Sequence, residues 1–255
     1  MSGVALQVEG GVATLTLQNE AKYNALDVQM LEDLERHVEE IERDPEVRVL
    51  ILTGAGQKAF CSGADIAAWG SLTPAEFSRH WVRGGHRLFD RIARLSKPSI
   101  AALNGHAFGG GLELATACDL RIASPRALLA LPEARVGIVP GWSGTQRLVR
   151  LMGECLVKEM ALFGRRIEAS RAMQTGFVYE IAEDPLFAAQ TLAQAHMALS
   201  PRATEIAKAM ILAGSGEDSA AMIDALGSAA IAASDDREEG VAAFMEKRDA
   251  QFTGK

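Results

Sequence analysis

Apolar positions along this chain switch between two rhythms. Val12 to Leu17 alternates, with Ala13, Leu15 and Leu17 on one side, which predicts a half-buried strand. Gly10-Gly11 just before it predicts a hairpin with Val4–Val8. Asp27 stands as a cap before a helix whose Met30, Leu31, Leu34, Val38 and Ile41 fall on one stripe, and Asp44-Pro45 ends that helix. Val47–Leu52 and Ser99–Leu103 are short apolar runs of the kind a parallel sheet buries on both faces. Between them, Thr73-Pro74-Ala75-Glu76 spells a capping box with proline at the first helical position. The helix that follows places Phe77, Trp81, Leu88, Ile92 and Leu95 on one face, with Pro98 as its stop.

Strands alternating with helices predict an α/β core with much parallel pairing. From Ser200-Pro201 the character changes: the remainder is alanine-rich and helical, with no strand pattern. Ser234 opens the last helix, and Asp235 and Asp236 in its first turn suit the helix dipole. The expected division is therefore a core over 1–200 and a helical region over 201–255.

Composition narrows the function classes. With 255 residues and 48% hydrophobic residues, the chain can bury a full core without staples. Its net charge of −7 argues against nucleic acid as the main ligand, because phosphate binding needs a basic face. Cys61, Cys118 and Cys155 are odd in number and form no C-x-x-C pair, which predicts neither a disulfide framework nor a zinc knuckle. Neither a signal peptide nor a membrane-spanning apolar run is read, so cytoplasm is the expected location.

Candidate chemistry gathers in two glycine-bearing loops. Phe60-Cys61-Ser62-Gly63-Ala64-Asp65 follows the first buried run, and Asn104 to Glu113, with Gly109-Gly110-Gly111, follows the second. Both are expected to leave the carboxyl ends of strands, where α/β sheets bind ligands. The second leads into a helix over Leu112–Ala117, so its N–H groups stand at the positive helix end, ready for an anion or a polarised carbonyl. The spacing is neither a dinucleotide fingerprint nor a P-loop. Gly141-Trp142-Ser143-Gly144 is not a nucleophile elbow.

Glu113 lies in the first turn of that helix, and Glu133 follows Leu131-Pro132. Taken singly, Glu113 reads more simply as a carboxylate complementing the helix dipole, and Glu133 as an ordinary first-turn glutamate after proline. Cys61 is either a loop thiol or a small packed residue, and packing is the simpler reading.

Four segments together resemble the enoyl-CoA hydratase/isomerase (crotonase) family. They are Ala59 to Ile66, Ala102 to Ala115, Leu131-Pro132-Glu133 with Gly137 to Leu148, and Ala243 to Arg248. The resemblance implies a superhelix of repeated β-β-α units with a helical C-terminal trimerisation region, the trimers commonly paired into hexamers. It implies that the Ala64 and Gly110 backbone N–H groups hold a thioester oxygen. Glu113 is implied as the base and Glu133 as the acid that serves the α-carbon, with the Gly141 N–H placing the water.

CoA recognition is expected from the segment of Lys22 and Ala25, from Ala64, Asp65 and Ile66, and from Phe244 and Lys247 of a neighbouring subunit. Lys22 and Lys247 read equally as solvated surface charge. Coenzyme A enters as part of the substrate, and neither cofactor nor metal is expected.

Having both glutamates favours a hydratase adding water to a 2-enoyl-CoA to give a 3-hydroxyacyl-CoA. Trp142 and Ser143 depart from the small residues usual in the family at these positions. That keeps a specialist open, such as a carnitinyl-CoA dehydratase or a Δ3–Δ2 isomerase. His106 reads as a core histidine, and Trp69 and Trp81 as acyl-tunnel or packing residues. An idle scaffold or RNA-binding relative is disfavoured by the acidic charge and the intact glutamate pair.

Overall fold

The predicted hairpin opens the chain. In the computed structural model, which describes residues 2–255, β1 (Gly3–Glu9) and β2 (Val12–Gln18) pair antiparallel. The sheet continues in parallel through β3 (Val49–Gly54), β5 (Ser99–Leu103), β7 (Leu120–Ala123) and β10 (Glu180–Ile181). A second sheet holds β4 (Ala59–Cys61), β6 (His106–Phe108) and β8 (Leu128–Ala130) in parallel, with β9 (Ile167–Glu168) antiparallel at its edge. Each of β3, β5 and β7 is followed by one strand of the second sheet and then by helical chain, which is the repeated β-β-α unit.

Burial explains why β3 reads as an unbroken apolar run. Leu50 and Leu52 face the main core with Leu15, Leu17, Phe60 and Leu129. Val49 and Ile51 face the other way, against Ala189 and Ala193. Both faces are covered, as parallel strands require.

The helices are α1 (Val28–Arg43), α2 (Ile66–Trp69), α3 (Pro74–Glu76), α4 (Arg83–Ala93), α5 (Gly110–Ala117), α6 (Gly144–Met152), α7 (Glu154–Phe163), α8 (Ala169–Gln174) and α9 (Pro185–His196). Asp27 accepts from Met30 N at 2.9 Å and so caps α1. The Thr73 capping box starts α3, where Thr73 N donates to Glu76 Oε2 at 2.9 Å.

Several expectations shift. β3 starts at Val49 rather than Val47, because Val47 N still closes a turn onto Asp44 O after Pro45. The two glycine loops contain strands, β4 and β6, whose three residues are too short to show a period. α5 starts at Gly110, two residues earlier than predicted. The helix after Thr73 passes through a π turn over Phe77–Val82 and ends at Ala93, leaving Leu95 outside it.

Backbone contacts divide the chain into Met1–Thr204 and Glu205–Lys255. The division falls within α10 (Pro201–Gly214), which begins where the alanine-rich region begins. The second unit carries α11 (Ser219–Ala232) and α12 (Asp235–Glu246), the latter capped by Ser234 accepting from Arg237 N at 3.3 Å. No helix among the described residues is long and apolar enough to cross a membrane.

Candidate active site

β4 and β6 end side by side, and the chain leaving each of them borders one cavity of about 260 Å³. Ala64, Ile66, Gly110, Glu113, Glu133, Gly141 and Trp142, all singled out from the sequence, line it. So do Trp69 at the end of α2 and Phe77, Trp81 and Val82 of the π turn. The tryptophans thus take part in the wall. A mostly apolar cleft with a few converging polar groups is the usual form of a small-molecule site.

Ala64 is oriented by a single parallel bridge to Leu26. Leu26 N donates to Gly63 O and Asp65 N donates to Leu26 O, each at 2.8 Å. In a parallel bridge those two bonds bracket the residue between them, so the Ala64 N–H points to the other side. Among the described residues no acceptor meets it. Gly110 is the first residue of α5, where an N–H has no partner within the helix. A Cβ on Gly110 would lie 3.5 Å from Ala64 N and 2.7 Å from the Trp142 ring, so the two amides are neighbours and the second position tolerates only glycine. Gly109 ahead of it has φ +50°, a conformation that favours glycine, and a Cβ there would stand 2.9 Å from Glu133 Oε1.

Glu113 is 2% exposed. Its Oε1 accepts from Trp142 N and Gly144 N, both at 2.8 Å. Burial pushes its carboxyl up, while those two N–H groups and the Arg147 charge oppose the rise. Glu133 is 8% exposed and opens a 3-10 turn over Glu133–Val136. Burial, with the Glu113 charge adding to it, pushes its carboxyl up to about 7. Glu133 Oε2 is buried with no hydrogen-bond partner. The two carboxyls therefore differ in kind: Glu113 Oε1 is held by paired donors, whereas Glu133 Oε2 has none.

The helix bearing Glu113 is fixed from behind. Buried Arg121 donates to Cys118 O at 2.7 Å and Phe177 O at 2.6 Å, tying the end of α5 to the next layer. Trp142 is 3% exposed, packs edge-on to Phe89 with ring centroids 5.1 Å apart, and donates from Nε1 to Trp81 O at 3.3 Å.

The remaining candidates fall elsewhere. Lys22 Nζ pairs with Asp65 Oδ2 at 2.6 Å beside Ala64, and each holds the other in its charged form. Ala25 is buried and does not line the cavity; its carbonyl accepts from Asn19 Nδ2 at 2.9 Å. Phe244 and Lys247 belong to the second unit, with Lys247 capping α12 in a left-handed conformation. Cys61 is fully buried, its thiol pushed up to about 12 by burial, so it is no nucleophile. His106 accepts from Leu128 N at 3.2 Å and stacks on Phe108, a packing role. Among the described residues no cluster of His, Cys, Asp and Glu is arranged to hold a metal ion.

Sequence reasoning missed His86. Its Nδ1 shares a 2.7 Å hydrogen bond with Ser143 Oγ, a contact between residues 57 apart that no local signal announces.

Comparison with known proteins bears on this arrangement. The profile of the enoyl-CoA hydratase/isomerase family matches residues 7–255. A short-chain-enoyl-CoA hydratase of Clostridium acetobutylicum is 36% identical over 97% of this chain and 96% of its own. A crotonyl-CoA hydratase of Syntrophomonas wolfei is 36% identical over 99% of this chain and 98% of its own. The crystal structure of an enoyl-CoA hydratase from Bacillus anthracis superposes with a TM-score of 0.81, at 35% identity and 99% coverage of both chains.

Proposed function

The chain belongs to the enoyl-CoA hydratase/isomerase family and is an enzyme of the hydro-lyase type, and from that premise we propose that it reversibly adds water, syn, to a 2-enoyl-CoA. The product is the 3-hydroxyacyl-CoA.

In this reading the thioester oxygen accepts from the Ala64 and Gly110 N–H groups. A water sits between the carboxyls, placed in part by the Gly141 N–H. Glu113, as carboxylate, takes a proton from the water while its oxygen bonds to the β-carbon. The π electrons shift toward the thioester, and negative charge gathers on its oxygen beneath the two amides. Glu133 then delivers its proton to the α-carbon, and the carbonyl re-forms. Two preorganised donors in a dry site stabilise that transient charge, each worth roughly 3–4 kcal/mol of barrier. No cofactor is called for; coenzyme A is part of the substrate.

The observation that carries the proposal is the contrast between the carboxyls. Glu113 Oε1 holds two N–H donors, which favours the charged form, and buried Glu133 Oε2 holds none, which favours the protonated form. An acid and a base poised side by side is what water addition needs.

Coenzyme A recognition is proposed for Lys22, Ala25, Asp65 and Ile66, and for Phe244 and Lys247 of a neighbouring subunit. The 201–255 region is proposed to build a trimer, singly or paired into a hexamer. The exposed Ile223, Ile231 and Met245 are in keeping with that, because apolar side chains left in water are available to a partner. Cytoplasm is the proposed compartment, in keeping with three cysteines that form no disulfide.

A dehydratase for a polar acyl group such as carnitinyl-CoA, or a Δ3–Δ2 isomerase, is the competing reading. The Trp142 indole N–H is engaged by Trp81 O, so it offers an acyl group only carbon, which supports the plain enoyl substrate. A panel of CoA thioesters tests this. Crotonyl-CoA hydration should be robust, and Glu113→Gln and Glu133→Gln should each cut it by about 10²–10⁴-fold with folding intact. Near-normal turnover in either variant would refute the two-acid mechanism.

A further inference from the structure

Glu113 is gripped through its surroundings in an unusual way. The donors to Oε1 are Trp142 N and Gly144 N, and the residue between them, Ser143, is at φ +77°, ψ +11°. A left-handed residue between two N–H groups turns both toward one point, and such a nest of amides binds an anionic oxygen. For serine that conformation costs free energy and persists only where the surroundings impose it.

Ser143 is buried, and its hydroxyl does not cap α6, although the residue stands at that position. It reaches instead to His86 Nδ1 at 2.7 Å, on α4. Three facts converge: a strained backbone, a side chain committed to one distant partner, and flanking amides that both hold the same carboxylate oxygen.

We infer that His86 is a positioning residue of the reaction: through Ser143 it holds the turn whose two amides grip Glu113. His86 touches neither the cavity nor the carboxylate; it fixes where the base points. This deepens the proposed hydratase reading and rests on Glu113 being the base. The charged groups acting on Glu113 are Arg147, from α6, and Glu133, from the 3-10 turn. Arg147 is itself paired with Asp90 of α4. None of these is altered by changing His86 or Ser143.

The test is a double-mutant cycle on crotonyl-CoA hydration with His86→Ala, Ser143→Ala and both together. Each single variant should lower kcat by about five- to tenfold, the worth of one hydrogen bond, with KM little changed. The double variant should be no worse than either single one. His86→Asn should restore most of the loss, because its amide can stand where Nδ1 stood. Ser143→Gly should exceed Ser143→Ala, because glycine enters the left-handed region without cost.

A second readout needs no turnover. The carboxyl 13C resonance of Glu113, assigned with Glu113→Gln, should titrate at higher pH in His86→Ala than in the wild type. Additive losses, a change confined to KM, or an unmoved Glu113 titration would each overturn the inference. A wild type that turns over no enoyl-CoA would sink the hydratase reading instead, and the titration would still decide whether His86 acts on Glu113.

Discussion

Glu113 acts on Glu133: the Glu133 carboxyl, raised chiefly by burial, is raised further by the neighbouring charge and reaches about 7. The consequence for stability has a definite sign. The unfolded chain loses this proton near the ordinary value of 4.5, and the native chain keeps it to about 7. Across that window the native state binds more protons, so stability falls as pH rises, and the loss is complete above the native value. Glu133→Gln has no proton to lose. Its stability relative to wild type should grow by about 2 kcal/mol between pH 5 and pH 8 in denaturant melts. A difference that stays flat with pH would contradict the raised value.

The same pair shapes the rate. Water addition needs one proton shared between the two acids, so kcat/KM should be bell-shaped in pH, with the alkaline limb reporting loss of that last proton from the pair at about 7 or above. Hydration consumes no net proton, so the profile measured from the hydroxyacyl side should have the same shape. A profile flat from pH 6 to pH 9 would count against the assignment.

Ala64→Pro removes one amide donor and no bond of the bridge to Leu26, since that bridge uses Gly63 O and Asp65 N. Crotonyl-CoA hydration should fall by about 10²–10³-fold. Unaltered far-UV circular dichroism would show that the fold survives, and retained turnover would remove Ala64 from the mechanism.

Trp142→Ala keeps the main-chain N–H that Glu113 needs and removes an indole packed against Trp81 and Phe89. The cavity should deepen. The ratio of kcat/KM for 2-octenoyl-CoA over crotonyl-CoA should rise by about tenfold or more, at a stability cost of about 3–5 kcal/mol. An unchanged ratio would mean that the acyl chain runs elsewhere.

Much of this was legible in the residues. The hairpin, the Asp27 and Thr73 caps and Ser99–Leu103 were readable because each rests on local chemistry: side-chain alternation, an acceptor before a helix, an unbroken apolar run. The second sheet was not, because β4, β6 and β8 are each three residues long and gain their pairing only from one another. Glu113 and Glu133 became prominent only through the four matching segments. Nothing in the spacing of 113 and 133 states that both border one cavity; the order of the sheets does that. The contact of His86 with Ser143 was beyond reach for the same reason: it joins two helices whose meeting is a property of the whole core.

The groups proposed to bear the developing charge, Ala64 N–H and Gly110 N–H, belong to the main chain, whereas the cavity wall proposed to meet the acyl group includes side chains such as Trp69, Phe77 and Trp142. Substitution rewrites side chains and leaves peptide units in place. A lineage can therefore exchange the wall residue by residue and sample new acyl groups while its enolate chemistry is inherited intact.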